Sequence, residues 1–221
     1  FNFLFGTRWN HASDDYGILT MIVSTLSVTF GAIVLGGTVG VFTAIFLVFW
    51  CPDKFRLPYM GKSAFLKKAV RLMEKINLRT CFDQIIKLLA GIPSVIFGYF
   101  GVSVILPALS AADPVGIGKG VLASSIVLAI MILPTVTSLS KNALEAVPEH
   151  YFEGALAVGN TKAQAVFRVV FPAARSGIIS ALILGIGRAV GETMAVSMVS
   201  GGRIFFPQTL FTPIHTLTTN I

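Results

Sequence analysis

Charge is scarce in this sequence: Asp, Glu, Lys and Arg make up 12% of its 221 residues, about half the share usual in globular domains. So dilute a charge cannot solvate an ordinary protein surface, and with 54% hydrophobic residues and a mean hydropathy of +0.81 the chain belongs in lipid. Cysteine is nearly absent. Cys51 and Cys81 both fall in stretches expected on the reducing side of the membrane, where a disulfide does not persist, and neither has a metal-type spacing to a histidine. His11, His150 and His215 are scattered, and there is no HExxH and no GxSxG, so the machinery of an intramembrane enzyme is missing. "DPVGIGKG" fails as a phosphate loop, since Asp113 stands for its first glycine and Gly120 for its Ser/Thr. "GIGRAVG" has one residue too many for a dinucleotide fingerprint and follows no strand.

What the chain has in quantity is long apolar runs. A helix rises about 1.5 Å per residue and must cover a hydrocarbon core of about 30 Å, closing its backbone bonds internally. Four runs suffice: 17–49, 85–109, 120–138 and 177–199. The first is long enough that it must tilt, bend or begin in the interface. The expected fold class is an all-α polytopic membrane protein with four transmembrane helices in this chain, residues 1–221 forming a single transmembrane domain. The chain opens on "FNFLFGTRWN", with no initiator Met and no signal peptide, and stops in the polar "HTLTTNI". The expectation is a fragment, with a spanning helix before Phe1 and another after Ile221.

The net charge of +7 is a matter of orientation, not of nucleic acid. Twelve of the 17 Lys and Arg lie in 51–83 and 139–176, and three lie in the other connections, at Arg8, Lys119 and Arg203. The positive-inside rule therefore makes 51–83 and 139–176 cytoplasmic, with Lys87 near enough to the inner face to snorkel. Within 51–83, Phe65, Ala69, Leu72, Met73 and Ile76 recur at helical spacing among Lys67, Lys68, Arg71, Lys75 and Arg79. This suits a basic helix at the lipid surface or a solvated face against a partner.

Arg188 is then the one unexplained cation. It sits inside the fourth run with Glu192 four residues on, at a cost of roughly 2.5–3.5 kcal/mol for each charge on insertion scales. At that spacing in a helix the two share a face. Either they pin the bundle as a buried ion pair, or Arg188 offers an anion the planar fork of donors that replaces its water, with Glu192 neutralising it when no anion is present. Pro93, in "GIPS", breaks the second run by removing a donor; the Ser94 hydroxyl beside it either bonds its own helix or lines a path. Pro134 is expected to end the third helix. Gly36-x-x-x-Gly40 and Gly187-x-x-x-Gly191 mark faces where helices approach closely.

The loop 139–176 is too apolar for a connector. Glu153, Ala157 and the run from Thr161 to Val170 suit two short helices, Gly159 supplies a left-handed turn between them, and Pro172 opens the next helix or ends this one. Here Glu153-Gly154-Ala155, then Gly159, then Val169-x-Phe171-Pro172 resemble the EAA loop of ABC importer permeases, departing from it at Gly154, Val169 and Phe171. The alternative is an amphipathic helix lying on the membrane. In that family the loop is the coupling helix that docks on the ATP-hydrolysing subunit, so the resemblance implies coupling roles for Glu153, Gly154, Ala155 and Gly159.

"GIPSVIFG", "LASSIVLAIMILPT", "GRAVGETMAVSMV" and "HTLTTNI" narrow the resemblance to permeases of phosphate ABC importers, and "GETMAV" to the PstC type among them. It runs from about Tyr16 to Ile221, and the chain would lack the first and last of the family's six core helices. The resemblance implies a multi-pass bacterial inner-membrane subunit without catalytic residues or a cofactor of its own, ATP and Mg being bound by the partner ATPase. Its partners would be a second, PstA-like permease, PstB-like ATPase subunits, a periplasmic PstS-like phosphate-binding protein, phosphate and membrane lipids. Arg188 and Glu192 match the charged residues implicated in phosphate passage, and Ser94 joins them as a candidate. A permease for molybdate or sulfate, or an anion channel without an ATPase, is the alternative; a channel has no need of a docking loop.

Overall fold

The computed structural model describes residues 2–6, 9–10, 15–51, 78–111, 113, 117–204 and 206–220. The basic helix expected around 65–76 lies outside the described residues. After a short helix Asn2–Phe5 and a two-residue antiparallel pairing of Trp9–Asn10 with Asp15–Tyr16, the main helices are α1 (Leu19–Phe49), α2 (Leu78–Ala90), α3 (Ser94–Ser110), α4 (Val121–Glu145), α5 (Glu149–Ala157), α6 (Lys162–Ala173), α7 (Arg175–Val190) and α8 (Met194–Val199). A 3₁₀ turn, Leu217–Asn220, follows. By length and apolarity α1 and α4 can each cross a membrane, and the bent pairs α2 with α3 and α6 with α7 bring the number of spans to four if each pair is one.

The run 85–109 is broken where its proline predicts: Pro93 adopts an extended ψ of 138° and offers no N–H, so the chain restarts at Ser94. The run 177–199 is also interrupted: α7 ends at Val190 and α8 begins at Met194. Conversely, Pro134 does not end the third helix. It is buried within α4, which continues to Glu145, as membrane helices allow where neighbouring groups take up the freed backbone. α1 carries a π-helical turn at Ile33–Gly37.

Contacts divide the chain into two units. The first comprises Phe1–Gly40, Ile92–Val136 and Ser180–Ile221, with a core of Val28, Ala32, Phe97, Val127, Leu128, Met131, Ile132, Ala195, Val196 and Val199. Where apolar surface gains nothing by leaving lipid, helices hold each other by close packing and hydrogen bonds. Both devices are present. The Ser125 hydroxyl donates to the Val28 carbonyl at 3.2 Å, joining α4 to α1. Gly36 lies so near α4 that a Cβ there would stand 2.5 Å from the carbonyl oxygen and 2.8 Å from the Cα of Ala129. Backbone cannot step aside as a side chain can, so Gly36→Ala is expected to cost about 1–3 kcal/mol and Gly36→Val more. The thermal midpoint of the detergent-purified protein checks this; an unchanged midpoint for the Val variant means that α1 and α4 are not in contact there.

The second unit comprises Val41–Gly91 and Thr137–Ile179. Here α2 and the end of α4 are tied by charge: Lys141 Nζ donates to Asp83 Oδ1 at 2.6 Å, stands 3.8 Å from Glu145, and Arg79 pairs with Glu145. The end of α1 meets the loop helices through aromatic rings. Phe49 and Phe152 have centroids 5.6 Å apart and Trp50 and Phe167 6.4 Å apart, while Lys162 Nζ lies 5.7 Å over the Trp50 ring, within cation–π range.

Candidate functional site

Arg188 occupies the last turn of α7, half-buried, and its Nη1 donates to the Thr135 hydroxyl at 2.8 Å. Thr135 follows Pro134 in α4, and both residues belong to the first unit. The expected partnership with Glu192 is absent. Gly191 N–H still reaches the Gly187 carbonyl at 3.1 Å, but Glu192 N–H reaches only Ala189, three residues back, at 3.5 Å. The helix has ended, and the shared face that a four-residue spacing gives is lost with it. Glu192 turns instead to the next helix, its Oε1 accepting from Ala195 N–H in the first turn of α8 at 3.1 Å, where a negative charge is favoured. Its backbone carbonyl accepts from the Thr218 hydroxyl at 3.2 Å.

The consequence is electrostatic. Among the described residues no carboxylate comes within 4.0 Å of Arg188, whereas Arg79 and Lys141 both have one. A half-buried guanidinium with five donors, one of them spent on a neutral hydroxyl, keeps an unmatched charge and can receive an anion.

Ser94 is the first residue of α3, half-buried, and its hydroxyl makes no hydrogen bond among the described residues, to Arg188 or to any other group. Gly187 packs on nothing: a Cβ there would meet no atom within 4 Å. Close approach is found at Gly36 but not at Gly187. Among the described residues of "DPVGIGKG", Asp113 Oδ2 accepts from Ile117 N–H at 3.0 Å and Gly118 N–H at 2.8 Å.

The segment expected to couple has the two short helices foreseen. Glu153 and Gly154 are exposed on α5, while Ala155 is buried. Gly159 has φ +89°; its N–H donates to the Leu156 carbonyl at 2.9 Å, and Asn160 N–H reaches back to Ala155 at 3.3 Å, the two bonds of a Schellman ending. Thr161 then starts α6 with a capping box: Gln164 N–H donates to Thr161 Oγ1 at 3.3 Å and Thr161 N–H to Gln164 Oε1 at 2.9 Å. That box is legible in Thr-x-x-Gln. α6 runs through Pro172, and the chain bends by 69° at Ala174 into α7. Val158, at the junction of the two helices, is 84% exposed.

Residues 69–216, two thirds of the chain, match the family of the binding-protein-dependent transport system inner membrane component. Over 99% of its length the chain is 34% identical to the probable ABC transporter permease protein YqgH of Bacillus subtilis, covering 64% of that protein. Over 100% of its length it is 33% identical to the phosphate transport system permease protein PstC of Mesorhizobium japonicum, covering 66%. The chain thus spans about two thirds of the length of these relatives. A solved inward-facing MetNI methionine ABC transporter shares the fold, with a TM-score of 0.50 at 22% identity over 79% of this chain and 68% of that one. With helices apolar enough to span a bilayer and a family match over most of its length, the chain is a membrane-embedded, all-α member of the family of inner-membrane components of binding-protein-dependent transport systems.

Proposed function

We propose that this chain is the permease subunit of an ATP-driven phosphate importer, forming with a second, PstA-like permease the path by which inorganic phosphate crosses the membrane. The observation that carries the reading is Arg188, a half-buried guanidinium to which the described residues of the chain supply no carboxylate. Phosphate leaving water needs charge and donors in return, and Arg supplies both. The PstC relatives, whose name is phosphate transport system permease protein, favour phosphate over other oxyanions. The exposed Glu153, Gly154 and Val158 suit a surface that docks on an ATPase subunit, where ATP and Mg are bound. A periplasmic phosphate-binding protein delivers the substrate, and no covalent chemistry takes place in this chain.

The test is hydrolysis and uptake by the reconstituted complex of the full-length protein, second permease, ATPase and binding protein. Phosphate should stimulate ATP hydrolysis and be imported with it, while sulfate and molybdate in tenfold excess should compete weakly. Stimulation by molybdate or sulfate alone assigns a different oxyanion; anion flux without ATP makes the chain a channel.

A further inference from the structure

We propose that Thr135 is a second oxyanion contact, its hydroxyl and the Arg188 guanidinium together holding two oxygens of one tetrahedral anion. The proposal rests on the importer reading above, and it adds a residue that neither its apolar surroundings nor its neighbour Pro134 would single out. The first observation is the direction of the hydrogen bond. Arg188 has only donors, so in its 2.8 Å contact with Nη1 the Thr135 oxygen is the acceptor and the hydroxyl proton is left over.

The second observation is where that proton does not go. Hydroxyls on membrane helices commonly return it to the carbonyl four residues back. Thr25 donates to Met21, Ser27 to Val23 and Ser103 to Tyr99, each at 2.8 Å, and Ser124 to Gly120 at 2.9 Å. Thr135 makes no such bond to Met131 and none to another described residue. Its O–H is unspent.

The third is stereochemical. A guanidinium N–H and a hydroxyl proton whose heavy atoms are 2.8 Å apart can each take one oxygen of the same tetrahedral anion, whose own oxygens lie about that far apart. The Arg188–Thr135 bond also orients the planar fork, so that its remaining donors face the anion without first losing rotamer freedom. Binding then draws on a fixed charge and one neutral donor, which suits an anion that must leave again.

The experiment is uptake of phosphate, sulfate and molybdate by the complex of the full-length protein and its partners, normalised to complex co-purified with its ATPase. Thr135→Val keeps the side-chain shape and removes the hydroxyl; Thr135→Ala replaces it if the Val variant does not assemble. Maximal uptake of the transported anion should fall about tenfold, equivalent to about 1.4 kcal/mol, and Thr135→Ser should recover it to within about twofold. In an Arg188→Lys background, where the fork is already gone, Thr135→Val should add less than about twofold. Wild-type uptake by the Val variant overturns the proposal while leaving the importer reading intact, as does equal failure of Val and Ser, which assigns Thr135 to packing alone. A wild-type complex that imports none of the three anions removes the importer reading and this proposal together.

Discussion

Arg188→Gln is expected to reduce phosphate uptake by two orders of magnitude or more while leaving the complex assembled. Hydrogen bonds to charged groups contribute about 1.5–3 kcal/mol each, and a bidentate contact makes two. Their loss, at about 1.4 kcal/mol per factor of ten, reaches a hundredfold without further assumption. A glutamine amide ends two bonds short of Nη1, so the 2.8 Å link to Thr135 of α4 is lost with the charge, while the apolar packing of the first unit still holds the helices together. Arg188→Lys preserves charge but not the fork, and should fall between wild type and the glutamine variant.

The double variant with Glu192→Gln separates a pathway from a scaffold. A paired Arg and Glu that only hold a bundle together tolerate joint neutralisation far better than the loss of one. In the structure Glu192 caps α8 through Ala195 and does not face Arg188, and the amide oxygen of a glutamine in its place can accept the same bond. Adding Glu192→Gln should therefore not rescue Arg188→Gln. Labelled-phosphate uptake per assembled complex is the measurement, and near-normal uptake by the double variant removes Arg188 from the path.

How much of this could be read beforehand depended on how local each signal was. Gly159 was legible because a left-handed residue between two helical patterns has one economical solution, and its φ of +89° is that solution. Pro93 was legible because its missing N–H acts within one turn. Pro134 carried the same signal and meant the opposite, since whether a membrane helix survives a proline depends on what its neighbours offer the freed backbone, and spacing along one strand of sequence is silent on neighbours.

The pairing of Arg188 with Glu192 is absent for a related reason: the four-residue rule presumes an unbroken helix, and Gly191 ends it. Thr135 stands 53 residues before Arg188, and Lys141 is 58 residues after Asp83; only the packed helices bring such partners together. The paired Gly-x-x-x-Gly patterns divide in the same way. Gly36 meets α4, while Gly187 faces open space, because a small residue permits close approach without supplying the surface approached.

The second large effect is expected at the junction of α5 and α6. Gly159→Val should leave the protein in the membrane yet reduce both substrate-stimulated ATP hydrolysis and import at least tenfold. A Cβ at 159 meets nothing within 4 Å, so no clash with a neighbour is involved and the cost is conformational. At φ +89° an L side chain crowds its own carbonyl, a penalty of roughly 1–2 kcal/mol for an ordinary residue and greater for a β-branched one.

The chain relieves that strain by leaving the left-handed region. Doing so breaks the two bonds that close α5, from Gly159 to Leu156 and from Asn160 to Ala155, and swings Glu153 and Gly154 relative to the capped start of α6 at Thr161. A docking surface made of both short helices then no longer matches its partner. Asn tolerates left-handed φ, so Gly159→Asn should keep most of the activity and Gly159→Ala should lie between. The order Asn, Ala, Val follows backbone strain and not side-chain volume, since Asn and Val are of similar size. Co-purified complexes assayed for phosphate-stimulated hydrolysis and uptake test the series, and a Val variant that hydrolyses and imports at the wild-type rate shows that this turn does not transmit the work of the ATPase.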